Sequence, residues 1–122
     1  MKGLPTNNQP STFDAKDDFH AILDELREKE GDYLVDEFIK IFSNRIPTDI
    51  THLIESRKNS NFRELKQKAH FLSTTLVTLK FTHGRLLASE IENAVDSEDT
   101  TRALKLTDQF IEYLNKALNT IS

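Results

Sequence analysis

The chain has 122 residues and a formal net charge of −4, with 37% hydrophobic and 30% charged residues, 3 Gly, 3 Pro and no Cys. That length amounts to one domain, and so low a hydrophobic fraction with so few breakers suits a small all-α protein whose helices each bury one stripe. The composition excludes disulfides and thiolate chemistry, offers no basic tract for a nucleic-acid backbone, and contains no run of about 18 apolar residues for inserting into a membrane.

Residues 1–9 (MKGLPTNNQ) are polar, breaker-rich and without periodicity. They predict a flexible tail or linker over residues 1–12, ahead of a helical domain over 13–122. No apolar h-region of a secretion signal is present, so the expected compartment is the cytoplasm. From Asp17 a helical pattern begins with Phe19, Ile22, Leu23 and Leu26 on one side, and Asp14, Asp17 and Asp18 crowd its start, where carboxylates suit the positive end of the helix dipole. Gly31 is a natural stop. Asp32 is then the expected N-cap of a second helix carrying Leu34, Val35, Phe38, Ile41 and Phe42. Pro47 interrupts it, yet Ile46, Ile50, Leu53 and Ile54 continue the stripe. The expectation is one long helix bent near residues 44–47, with two abutting helices as the alternative.

Residues 61–80 (NFRELKQKAHFLSTTLVTLK) place Phe62, Leu65, Ala69, Leu72, Leu76 and Leu79 in alternating steps of three and four, an amphipathic helix with one buried face. Asn61 and Glu64 have the spacing of a capping box. A fourth long pattern opens at residues 81–82 and carries Leu86, Leu87, Ile91, Ala94 and Val95. The last runs from about residue 99 to 121 with Ala103, Leu106, Phe110, Tyr113, Leu114, Ala117 and Leu118. Short connections make consecutive helices antiparallel neighbours. The predicted architecture is an antiparallel up-down four-helix bundle with a short extra N-terminal helix.

Four histidines are the chemically useful residues. His20, His52 and His83 are expected at helix surfaces or starts, without partners. Asp17-x-x-His20 and Asp49-x-x-His52 have a metal-ligand spacing, but no second pair of core-facing carboxylates accompanies them, so no metal is expected on the chain. There is no G-x-S-x-G elbow and no Gly-rich phosphate loop. His70 stands apart: at 100° per residue it points about 140° from the centre of its helix's apolar stripe. Its neighbours one turn away are Lys66, Gln67, Ser73 and Thr74. A neutral imidazole so exposed is a good nucleophile near pH 7.

The order of segments carries a resemblance. Phe38-Ile39-Lys40-Ile41-Phe42, a proline-interrupted continuation to Leu53-Ile54, an Asn/Ser turn, Leu65-x-x-x-Ala69-His70-Phe71-Leu72, then Leu87-x-x-x-Ile91-Glu92 and a long final helix resemble a histidine-containing phosphotransfer (HPt) domain of two-component phosphorelays. The resemblance covers the chain from about residue 17 onward. It implies that His70 takes a phosphoryl group, through Nε2, from the aspartyl phosphate of a receiver domain and passes it to another receiver. In that family the domain has no kinase activity of its own, and the partner receiver supplies the Mg²⁺. The implied contacts to the phosphoryl group or receiver are Lys66, Gln67, Ser73, Thr74 and Phe71, the last as an apolar docking residue. The implied partners are response-regulator receivers and a hybrid histidine kinase; the chain is expected to be either a free-standing protein or, as its linker-like start would suit, a domain excised from such a kinase. The chain departs from the family where a Lys three residues and a Gly four residues after the histidine are usual. Ser73 and Thr74 stand there instead. The missing Lys removes a charge-assisted contact of about 1.5–3 kcal/mol, which Ser73 Oγ–H and Lys66 are expected to replace. The competing reading is a helical adaptor, HPt-like or unrelated, that binds a protein partner without carrying phosphate.

Overall fold

A computed structural model describes residues 17–121, in which all regular structure is helical. The expected tail over residues 1–12, and Asp14, lie outside the described residues. Five helices follow in order: α1 (Phe19–Glu30), α2 (Asp32–Lys58), α3 (Phe62–Thr78), α4 (Thr82–Asp96) and α5 (Thr100–Ile121). α3 packs on α2 and most extensively on α4, α4 on α5, and α5 closes back onto α2, while α1 lies against α2 and α5. The core between them is built from fully buried Phe42, Leu53, Leu65, Leu72, Leu76, Phe81, Leu87, Ile91, Phe110 and Leu114. None of the five is long and apolar enough to cross a membrane.

Capping explains where the helices begin and end. Asp18 caps α1, its carboxylate accepting from the Ala21 N–H at 3.1 Å. Gly31, at φ 91, makes the break that other residues rarely adopt. The cap of α2 differs from the sequence expectation: Gly31 holds that position, and Asp32 is the first helical residue. There Asp32 and Asp36 face Arg27 of α1, at 3.8 and 2.8 Å. α2 runs unbroken through Pro47. The proline deprives the Ser43 carbonyl of a helical N–H, but Phe42, Ile46, Ile50 and Leu53 are buried on both sides of it, and that burial keeps one helix rather than two.

Three helix ends share one device. Ser60, Lys80 and Glu98 all have positive φ (53, 63 and 60). After each, a backbone N–H reaches five residues back: Asn61 to the Ser56 carbonyl, Phe81 to Leu76 and Asp99 to Ala94, at 2.8 to 2.9 Å. These are Schellman turns built without glycine. They also amend the expected capping box. Asn61 accepts from the Glu64 N–H at 3.2 Å, but its own N–H is committed to Ser56, so Glu64 has no reciprocal bond to make there.

α4 has no side-chain cap of its own. Asp17, expected to serve α1, reaches over instead: its carboxylate accepts from the His83 N–H at 3.1 Å and from the Tyr113 hydroxyl at 2.5 Å. Burial, then this hydrogen bond, hold the Tyr113 phenol far above its usual pKa, so it remains a donor. Gly84 lets the Tyr113 ring in, since a Cβ there would lie 2.4 Å from Tyr113 Cε1. His83 is therefore no surface histidine. It is buried, edge-on to the Tyr113 ring at 5.6 Å, and its Nδ1 has no partner.

Desolvation lowers the His83 pKa from 6.5, against the opposing charges of Asp17 and Glu90. Folding thus favours the neutral ring. The contribution is complete above the unfolded value of 6.5 and is lost as pH falls below it through the lower folded value. Urea titrations between pH 7.5 and 5 are expected to show stability declining with acid, and His83→Gln to flatten that part of the curve. Parallel curves for the two proteins would contradict the assignment.

Candidate functional site

α3 exposes a ridge opposite its core stripe, and His70 stands on it with 71% of its side chain exposed. Ala69 and Leu72 beside it are fully buried, so the backbone carrying the imidazole is fixed while the ring is open. The ring has one partner. Nδ1 lies 3.1 Å from Oε1 of Glu92 on α4, and Glu92 is itself only 20% exposed. A carboxylate accepts and does not donate, which places the ring proton on Nδ1 and leaves the Nε2 lone pair facing outward.

One turn earlier on α3, Lys66 Nζ donates to Asp96 Oδ1 at 2.5 Å. As α3 advances from Lys66 to His70, the partner on α4 steps back from Asp96 to Glu92. α3 and α4 thus run antiparallel here, joined by two charged rungs. Hydrogen bonding to Asp96, then its charge, raises the Lys66 pKa above its ordinary value, so the ammonium stays charged.

The other expected site residues are placed as follows. Gln67 is exposed, beside Lys66 on the turn before His70. Ser73 Oγ–H donates to the His70 carbonyl and Thr74 Oγ1–H to the Phe71 carbonyl, both at 2.7 Å. Such back-bonding satisfies a small hydroxyl on its own helix. Here the Ser73 proton is therefore committed to backbone, rather than turned outward as the sequence suggested. Phe71 is 39% exposed. Arg45 of α2 covers its ring with Cζ 4.4 Å from the centroid, and Lys68 Nζ lies 5.4 Å from it. Lys68 is shared with Asp49 on α2, at 3.2 Å. Beyond Phe71 the α2–α3 surface continues into an apolar groove of about 180 Å³ lined by Phe38, Ile41, Thr75, Thr78 and Leu79.

In the two Asp-x-x-His pairs, Asp17 bonds to His83 and Tyr113, and Asp49 to Lys68. Among the described residues no group of three or more His, Asp or Glu is placed to hold a metal ion. Sequence reasoning missed Glu92, Asp96 and Arg45 as neighbours of the site. The four-residue spacing of Glu92 and Asp96 matches that of Lys66 and His70, a signal that becomes readable once α3 and α4 are paired antiparallel.

Comparison of the chain with family models, with curated proteins and with solved structures gives no significant match to any of them. What the site can do is set by its own chemistry. It offers one oriented, solvent-facing imidazole nitrogen, a carboxylate behind the ring, a cation one turn away and an apolar surface on the α2 side.

Proposed function

We propose that this chain is a histidine-containing phosphotransfer domain, an antiparallel up-down four-helix bundle of α2 to α5 with α1 as its short extra helix. In this reading it works in the cytoplasm between receiver domains of a two-component phosphorelay. The observation that carries it is the placement of His70: a largely exposed ring, engaged at Nδ1 by Glu92, on a helix whose opposite face is buried. A sparse site is sufficient for this task, because transfer between an acyl phosphate and an imidazole needs chiefly in-line positioning and charge neutralisation.

The Nε2 lone pair attacks the phosphorus of the receiver's aspartyl phosphate, an N–P bond forms, and the P–O bond to the aspartyl carboxylate breaks. The aspartate leaves as an anion. The Nδ1 proton stays on the ring, which gains positive character, and Glu92 stabilises that charge as it develops. The receiver would supply Mg²⁺ to neutralise the phosphoryl oxygens. Reversal of the same step on a second receiver completes the relay. Phe71, Gln67 and Thr74 are exposed on the helix turns around His70 and would meet the incoming receiver. Arg45, engaged over the Phe71 ring, is a neighbour of that surface that sequence reading had not assigned.

The deciding experiment mixes the domain with a receiver phosphorylated on aspartate and looks for acid-labile, alkali-stable phosphate on this chain. Label is expected on the wild type and absent from His70→Gln. Persistence of label in that variant would displace the site. Binding of receivers without any label would favour the adaptor, in which the same surface docks a partner but carries nothing.

A further inference from the structure

We propose that Asp96 holds Lys66 in reserve beside His70, and that a phosphoryl group on His70 draws the Lys66 ammonium off Asp96 and onto itself. The inference rests on His70 being a phosphoacceptor, and it concerns how the charged state is then stabilised and signalled on the α3–α4 surface.

The two rungs are built for such an exchange. Lys66 and His70 lie one turn apart on the same face of α3, which sets their Cβ atoms about 5–6 Å apart, and the flexible four-carbon stem of a lysine can serve either neighbour. The Lys66 and Asp96 side chains are 42% and 56% exposed. An ion pair so wetted is easily traded. A phosphoryl group brings close to two negative charges and three acceptor oxygens, against the single charge of Asp96. At equal distance its pull on the ammonium is therefore about double. Phosphate on Nε2 leaves the Nδ1 contact to Glu92 in place, so the upper rung survives while the lower one opens. The cations on the α2 side are otherwise engaged: Lys68 with Asp49, and Arg45 over Phe71.

Asp96 also determines how readily Lys66 leaves. It is the last residue of α4, where the helix dipole presents its negative end and a carboxylate is disfavoured unless a cation compensates it. Once Lys66 has moved, that carboxylate stands alone at the start of the turn formed by Ser97 to Asp99. Phosphorylation at His70 is thereby expressed a full turn away, at the end of α4. The missing lysine after the histidine is made good from the preceding turn of the helix, under the control of a residue on the neighbouring one.

Chemical phosphorylation tests this without any receiver, so failure of relay transfer and failure of this exchange are read separately. With phosphoramidate, Nε2 forms the N–P bond, the P–N bond of the reagent breaks and ammonia departs. The lifetime of phosphate on His70 at neutral pH is then followed by ³¹P NMR, with His70→Gln identifying the signal. A loose transition state carries less charge on the phosphoryl oxygens than the ground state does, so a bound cation slows hydrolysis. Asp96 still competes for the ammonium in the phosphorylated state, so Asp96→Asn is expected to lengthen the lifetime and Lys66→Met to shorten it, each roughly two- to fivefold, the scale of one exposed charge contact. The double variant is expected to match Lys66→Met alone, because Asp96 acts only through Lys66. An unchanged lifetime in Asp96→Asn, additive effects in the double variant, or label confined to other histidines would each overturn the proposal.

Discussion

Truncation of Phe81 to alanine is expected to remove about 3–5 kcal/mol of folding stability, the range for deleting a fully buried phenylalanine. That is a large share of the roughly 5–15 kcal/mol a domain possesses. Phe81 has no exposed surface and stands edge-on to Phe19 of α1 at 5.0 Å and to Phe42 of α2 at 6.1 Å. Phe19 in turn meets Tyr113 of α5 at 5.5 Å. One ring thus joins the start of α4 directly to two other helices, and through Phe19 to α5, and each edge-to-face contact adds about 0.5–1.5 kcal/mol beyond area. Urea unfolding followed by circular dichroism measures the loss, and Phe81→Leu, which keeps most of the volume, should cost markedly less. A loss below about 1 kcal/mol in the alanine variant would mean that neighbouring side chains collapse into the space, contrary to the close packing expected of such a core.

The same position illustrates what the chain makes legible. The apolar stripes at three- and four-residue spacing disclose all five helices, because burial of one face dominates everything else about them. The turns are harder to read, since Ser60, Lys80 and Glu98 take left-handed conformations where glycine would have announced the stop. Asp17 misleads for a different reason. Its nearest helix in sequence is α1, yet Asp18 already caps α1, and the unmet N–H groups of α4 lie close in space. His83 does stand near a helix start, one of the two expected placings, yet it is buried: it lies one turn before Leu87 and two before Ile91, squarely on the buried stripe of α4. The polar residue type outweighed the periodicity, and the compensating Tyr113 ring comes from thirty residues further on. His70 was legible because exposure opposite a stripe is a local property of one helix. Glu92 and Asp96 were not, because which residue of α4 faces which residue of α3 depends on a register that no local pattern encodes.

Lys68→Met carries the second large expectation, a loss on the order of 3 kcal/mol, because removing one partner of a buried pair strands the other charge. Asp49 is 5% exposed, accepts from Lys68 Nζ at 3.2 Å through Oδ1, and has no partner for Oδ2. Methionine keeps the length and apolar stem of lysine but supplies no donor, so the carboxylate would be left in the α2–α3 interface with neither oxygen satisfied. The value sits at the low end for buried pairs, because the Lys68 side chain is still 24% exposed. The Asp49→Asn/Lys68→Met double variant is expected to recover more than half of the loss, since the penalty belongs to the stranded charge and not to the missing bond. Equal losses in the single and double variants would assign the effect to packing instead. Lys68 is also one of two cations against the Phe71 ring, yet Arg45 holds the closer place. The phosphate uptake proposed for His70 should therefore stay near wild type in folded Lys68→Met. The pair then acts on the placement of α3 against α2, while the phosphotransfer proposed for the opposite flank of α3 would draw on Lys66, Glu92 and Asp96.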